Sequence, residues 1–215
     1  MNHSPPAPYA ARLDVDYPEA LNRLTTCFRL VMAIPIVVIA RLIFSPEIEL
    51  NNGDAEQTAI LVWGVAGGGS LPLATALMII FRRRYPRWWF DFAREGARFG
   101  GRVYAYLVLV TDQYPSTVDE QAVHLEIDYP IVERDLNRWL PLIKWILALP
   151  HYIVLLFLYL LTVPVLVIAW FSILITGRYP RVLFDFVVGV WRWTLRVGAY
   201  VALLVTDEYP PFALD

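Results

Sequence analysis

Arg84-Tyr85-Pro86-Arg87-Trp88-Trp89-Phe90-Asp91-Phe92 is answered later in the chain by Arg178-Tyr179-Pro180-Arg181-Val182-Leu183-Phe184-Asp185-Phe186. The doubling extends outward in both directions. Upstream, Leu21-Asn22-Arg23, Arg29 and Ala33-Ile34-Pro35 return as Leu136-Asn137-Arg138, Lys144 and Ala148-Leu149-Pro150. Downstream, Thr111-Asp112-Gln113-Tyr114-Pro115 returns as Thr206-Asp207-Glu208-Tyr209-Pro210. This order of motifs reads as a tandem duplication. It divides the chain into a tail at 1–11, a first copy at 12–115, a linker at 116–123 and a second copy at 124–212.

Both copies are membrane sequence. Of 215 residues 58% are hydrophobic, above the roughly 45–50% of soluble domains, and the mean hydropathy is +0.49. A net charge of −2 lacks the surplus of Lys and Arg that phosphate backbones require, which argues against nucleic acid as a partner. The single cysteine, Cys27, has no intramolecular disulfide partner, and its apolar surroundings make it an inert thiol. Residues 1–11 carry Pro5, Pro6 and Pro8 and no basic region ahead of an apolar run, so they read as a tail and not as a signal peptide.

Each copy opens on alternating residues, Arg12-Leu13-Asp14-Val15-Asp16 and His124-Leu125-Glu126-Ile127-Asp128, the period of a strand with one apolar face. Tyr-Pro ends both, because proline removes a ladder donor. Two five-residue strands are marginal alone but could pair with each other beside the membrane. A first hydrophobic span runs from Leu24 to Phe44, with Arg29 and Arg41 placed to snorkel toward headgroups. After an acidic loop, Ala59 to Phe81 gives 23 uncharged residues, where about 20 suffice to cross. Arg82-Arg83-Arg84 then marks the cytoplasmic side and puts both termini there.

In the second copy Trp145 to Gly177 is a run of 33 residues without a charge, roughly 50 Å as one helix against about 30 Å of hydrocarbon. That length suggests a tight hairpin turning near Leu160 to Pro164. A third helix follows in each copy, Arg87 to Val110 and Arg181 to Val205. Its charges share one face: Arg87, Asp91, Arg98 and Arg102 in the first, Arg181, Asp185, Arg192 and Arg196 in the second. Crossing with those charges would cost about 2.5–3.5 kcal/mol each at the centre. A flat interfacial position avoids this, with Trp88, Trp89, Trp191 and Trp193 at the apolar boundary. The resulting fold class is mainly α: a helical integral membrane protein, a tandem repeat of a two-helix transmembrane hairpin plus an interfacial amphipathic helix, with short β-strands outside the bilayer. Four crossings follow; the competing topology has six and inverts the second copy.

Asp91, Arg98, Arg102, Asp185, Arg192 and Arg196 are the candidate lipid-headgroup or ion-pair residues, since paired arginines can chelate a phosphate. Asp and Arg seven positions apart are about 10.5 Å apart along the axis, so any ion pair should reach another element. Gly64 and Gly68 have the spacing of a close helix-packing motif. The recurring Tyr-Pro pairs punctuate element ends. His3, His124 and His151 lack metal-ligand spacing, the serines lack a His–acid context, and nothing calls for a metal or another cofactor.

The doubled order of Tyr-Pro, Arg-Tyr-Pro, Phe-Asp-Phe at 90–92 and 184–186, Ala-Tyr at 105–106 and 199–200, and Thr-Asp-X-Tyr-Pro resembles the bacterial membrane domain-of-unknown-function family 4389. The resemblance implies a small bacterial membrane protein without an assigned activity, substrate or cofactor; the expected location is the inner membrane. The expectation is a non-enzymatic scaffold or accessory subunit whose partners are membrane lipids and a membrane-protein partner or a second copy. A transporter or channel component with a polar path between the repeats is the alternative. An enzyme acting on lipid ranks third, because no acid–base or nucleophile constellation supports it.

Overall fold

The computed structural model describes residues 9–44, 70–117, 119 and 121–215. Strand β1 (Ala11–Val15) leads to α1 (Arg23–Phe44). Helix α2 (Ser70–Leu77) runs on into one wide turn at Met78–Arg82, and α3 (Arg87–Leu107) follows. Strand β2 (Val123–Ile127), the single turn α4 (Val132–Asp135), a 3-10 turn at Leu140–Leu142 and the short α5 (Lys144–Leu147) introduce the long α6 (Leu149–Thr176) and then α7 (Arg181–Val201). Two helices, within Arg23–Ala40 and Leu149–Thr176, are long and apolar enough to cross a membrane.

The strands pair antiparallel with Leu13 opposite Leu125. Alternation sends Ala11, Leu13, Val15, Val123, Leu125 and Ile127 inward and the charged residues outward, where Arg12 bridges to Glu126 and Asp128. Hydrogen bonds from Asp16 N to Ala122 O and from Asp128 N to Ala10 O mark the even-numbered β1 positions as bonded pairs. The carbonyls of Leu13 and Leu125 therefore point out of the sheet at its two free edges. β1 lies on α7, and β2 lies on α3. On their other sides α3 meets α1, and α7 meets α6. The order is thus sheet, then α3 and α7, then α1 and α6.

The hairpin expected in the second copy is corrected: α6 is one helix of 28 residues that passes through Leu160 to Pro164 without a break. A turn there would have to be made by Leu-Leu-Thr-Val-Pro, which offers no Gly, Asn or Asp. It would leave main-chain polar groups unpaired in an apolar setting, at several kcal/mol each. One internal proline costs about 3 kcal/mol and is the smaller penalty. In the first copy, residues 59–69 of the expected second arm, with Gly64 and Gly68, lie outside the described residues.

Helices α3 and α7 start at the expected Arg87 and Arg181, each behind proline. Proline at this boundary loses no helix bond and presets the first φ. Both end sooner than expected, in turns where Leu109 and Leu204 take positive φ values of 68° and 55°. Leucine in that region is strained by about 1–2 kcal/mol, and sequence offers no glycine there to announce the stop. Trp191 and Trp193, expected at a lipid boundary, are buried. Trp191 lies against Tyr104 at 5.0 Å between ring centres and above Gly101, where a Cβ would come within 3.2 Å of the indole.

Candidate functional site

Two buried cations organise the ends of the helices. Arg29 is 2% exposed and Lys144 1% exposed, so the expected snorkelling of Arg29 is corrected: the guanidinium turns into the protein. It donates to the carbonyls of Tyr106 and Thr111 at 2.9 and 2.7 Å, pairs with Asp112 and lies 4.7 Å from the centre of the Tyr106 ring. Lys144 donates to the carbonyl of Thr206 at 2.6 Å, pairs with Asp207 at 2.7 Å and lies 4.8 Å from the centre of the Tyr200 ring. Burial pushes the Lys144 ammonium below its ordinary pKa, and Asp207 offsets part of that shift.

Each aspartate also receives a main-chain N–H at the start of the partner segment. Asp112 accepts from Asn22 N at 2.5 Å, and Asp207 accepts from Asn137 N. The asparagine side chains in turn accept from Leu24 N at 2.9 Å and Trp139 N at 3.0 Å. Thr111 and Thr206 hold the aspartate turns by accepting from Gln113 N and Glu208 N. The Thr-Asp-X-Tyr-Pro motifs are thus clamps that fasten the ends of α3 and α7 to the entries of α1 and α5. All of these residues except Leu24 and Trp139 are among the doubled positions of the sequence. Their pairing was not apparent there, because each cation stands far along the chain from its aspartate.

The six charged candidates separate by role. Asp91 pairs with Arg94 at 3.1 Å and Asp185 with Arg181 at 3.4 Å, both within their own helices. The expectation that these aspartates reach another element is corrected; a partner three or four positions away occupies the carboxylate first. The arginines reach outward to main chain. Arg98 Nε donates to Leu125 O at 3.0 Å, and Arg192 Nε donates to Leu13 O at 3.0 Å. These are the outward carbonyls of the two sheet edges, so the arginines occupy acceptors on which another strand could build. Arg102 donates to Ser116 O at 2.6 Å, and Arg196 donates to Ala213 O. Arg98 also pairs with Glu95, and Arg192 with Asp14.

Shallow cavities flank the sheet, one of about 240 Å³ beside Arg98, Arg102 and β2, the other of about 320 Å³ beside Arg192, Arg196 and β1. Carboxylates line both: Glu126 in the first, Asp14 and Asp215 in the second. They counter the positive charge that an anion would need.

Tyrosines complete the fastening between the halves. Tyr17 donates to Tyr179 O at 2.5 Å under Arg181, and Tyr129 donates to Tyr85 O at 2.5 Å under Arg87. His151, which lacks metal-ligand spacing in the sequence, is fully buried. His151 Nδ1 accepts from Trp193 Nε1 at 3.0 Å, and its ring stacks on Phe212 at 4.1 Å with Tyr209 beside it. The segment carrying Tyr209 and Phe212 is seated further by Leu214, whose carbonyl would lie 2.6 Å from a Cβ at Gly189. Among the described residues no group of three or more His, Cys, Asp or Glu could hold a metal ion.

Residues 139–213 match the family model described as a domain of unknown function, DUF4389. The matched region takes in α5, α6, α7, the Lys144–Asp207 clamp and the His151 cluster; a single copy is matched. No curated protein and no solved structure matches the chain.

Proposed function

We propose that this protein is a non-enzymatic integral membrane scaffold or accessory subunit of the bacterial inner membrane, built from two copies of one unit, with its termini on the cytoplasmic side. The observation that carries the reading is the segregation of polarity across the layers. Large apolar side chains of α1 and α6, such as Leu30, Ile34, Phe157 and Ile168, stand exposed on one side, while the opposite side is a sheet studded with paired charges. Exposed apolar area of this extent marks a membrane or partner surface.

Support for two copies comes from contacts made twice: cation–aspartate clamps, arginines on sheet edges, tyrosines on Tyr-Pro carbonyls. Because Leu13 faces Leu125, each strand covers the helix of the other half, so neither half is complete alone. In this reading α3 and α7 are interfacial helices at headgroup level. These helices meet the headgroups, the charged sheet face is left on the water side for a membrane-protein partner, and the arginines are already engaged in holding the platform together. Extraction of native membranes with alkaline carbonate tests the proposal. The protein should stay with the lipid pellet; release into the supernatant would remove the membrane reading.

A further inference from the structure

We infer that α6, although long enough to cross, lies along the membrane plane within a single leaflet; the inference rests on the membrane reading above and fixes how the lipid is met. Three observations combine. First, a buried stripe runs the length of the helix on its inner side: Leu155, Thr162, Ala169 and Ile173, continuing His151 and Ala148. Second, both ends are tied to the same platform. At the start, Lys144 is clamped by Asp207 and Tyr209 donates to Leu147 O at 3.1 Å. At the end, Gly177 O accepts from Leu21 N at 2.9 Å, and Trp170 Nε1 donates to Thr26 O at 3.2 Å. Third, the strand segment behind α7 follows it from end to end, with Tyr9 at Arg196 O, Leu13 at Arg192 and Tyr17 at Tyr179 O.

An upright α6 would therefore carry α7 and the sheet into the hydrocarbon, with the arginines of α7 and the exposed Arg12, Glu126 and Asp128 among them. Charged groups and sheet edges are not tolerated facing lipid at that depth. Lying flat removes the conflict. The outer stripe of Ile153, Phe157, Leu160, Val167, Phe171 and Ile175, 51–73% exposed, then enters acyl chains along its whole length. A helix about 10–12 Å across fits within one leaflet of a hydrocarbon core about 30 Å thick. Trp139 and Trp145 before the helix and Arg178 after it, all exposed, suit the headgroup boundary at both ends.

The test uses the full chain in a Cys27→Ser background, in right-side-out and inverted vesicles. Glu133→Cys and Arg178→Cys, exposed positions on either side of α6, should react with an impermeant maleimide from the same face. Fluorophores on Ile153→Cys, Leu160→Cys and Ile175→Cys should be quenched with equal ratios by lipids carrying quenchers at two acyl depths. Labelling of the two flanking positions from opposite faces would overturn the inference in favour of a crossing helix. Same-face labelling with Leu160 far deeper than the other two would overturn it in favour of a bent hairpin. Protection of all three from lipid quenchers by self-association would also overturn it, by making a second copy the occupant. If carbonate releases the protein, the membrane reading itself has failed; a protein retained in the pellet but labelled from opposite faces fails only the in-plane placement.

Discussion

Arg29 and Lys144 show how a charge can be held inside an apolar helix assembly. Desolvating an ion pair roughly cancels its Coulomb gain, so the clamps add little net stability, whereas breaking one strands a charge at about 3–5 kcal/mol. Asp207→Asn should therefore cost about that much in detergent-solubilised protein, because Lys144 is left buried without its counter-charge. The double change Lys144→Met with Asp207→Asn should cost clearly less, since no charge remains. Chemical denaturation of the two variants checks this; equal losses would show that the pair matters only through packing. Sequence singles out these residues by repetition but not their partnership. Arg29 and Asp112 are 83 positions apart, and a cation near the end of an apolar helix reads as a snorkelling one. Separations of 27 and 179 positions likewise hide the seats of Arg98 and Arg192 on strand carbonyls, although the charged face of each helix is plain from spacing.

At the level of elements, legibility followed periodicity. The strands, α1 and the starts of α3 and α7 carry clear periods of two or 3.6 and clear proline punctuation. α6 carries no such period: by its length an uncharged run of Leu, Val and Ile points to two short arms, and the cost of an unsatisfied turn keeps it one helix. Two glycines of α7 give a matched test of its packing. A Cβ on Gly189 would meet the Leu214 backbone at 2.6 Å, whereas one on Gly198 meets nothing within 4 Å. Gly189→Ala should destabilise by about 1–3 kcal/mol through overpacking and loosen the segment that covers His151. Gly198→Ala should be neutral or stabilising by up to about 1 kcal/mol, the helix-propensity gain. Unfolding midpoints of the two variants, with tryptophan fluorescence reporting on Trp193, separate these outcomes; equal effects would contradict the seating of residues 209–215 on α7.

The described residues present two chemically opposite faces, and the proposed function rests on that asymmetry. β1 covers α7 and β2 covers α3, so the two parts of the chain hold each other's helices. The sheet face is polar and internally paired. The α1 and α6 face is apolar and uncovered among the described residues. In the proposed arrangement lipid covers the second face while water meets the first. Hydroxyl-radical footprinting of the full-length protein in lipid nanodiscs tests this most directly, because several reactive side chains on both faces are exposed in the isolated chain. His124 and Tyr129 on the sheet side should be modified readily, while Phe157 and Phe171, 61% and 54% exposed in the protein alone, should be protected. Modification of Phe157 and Phe171 as rapid as that of His124 would contradict the account.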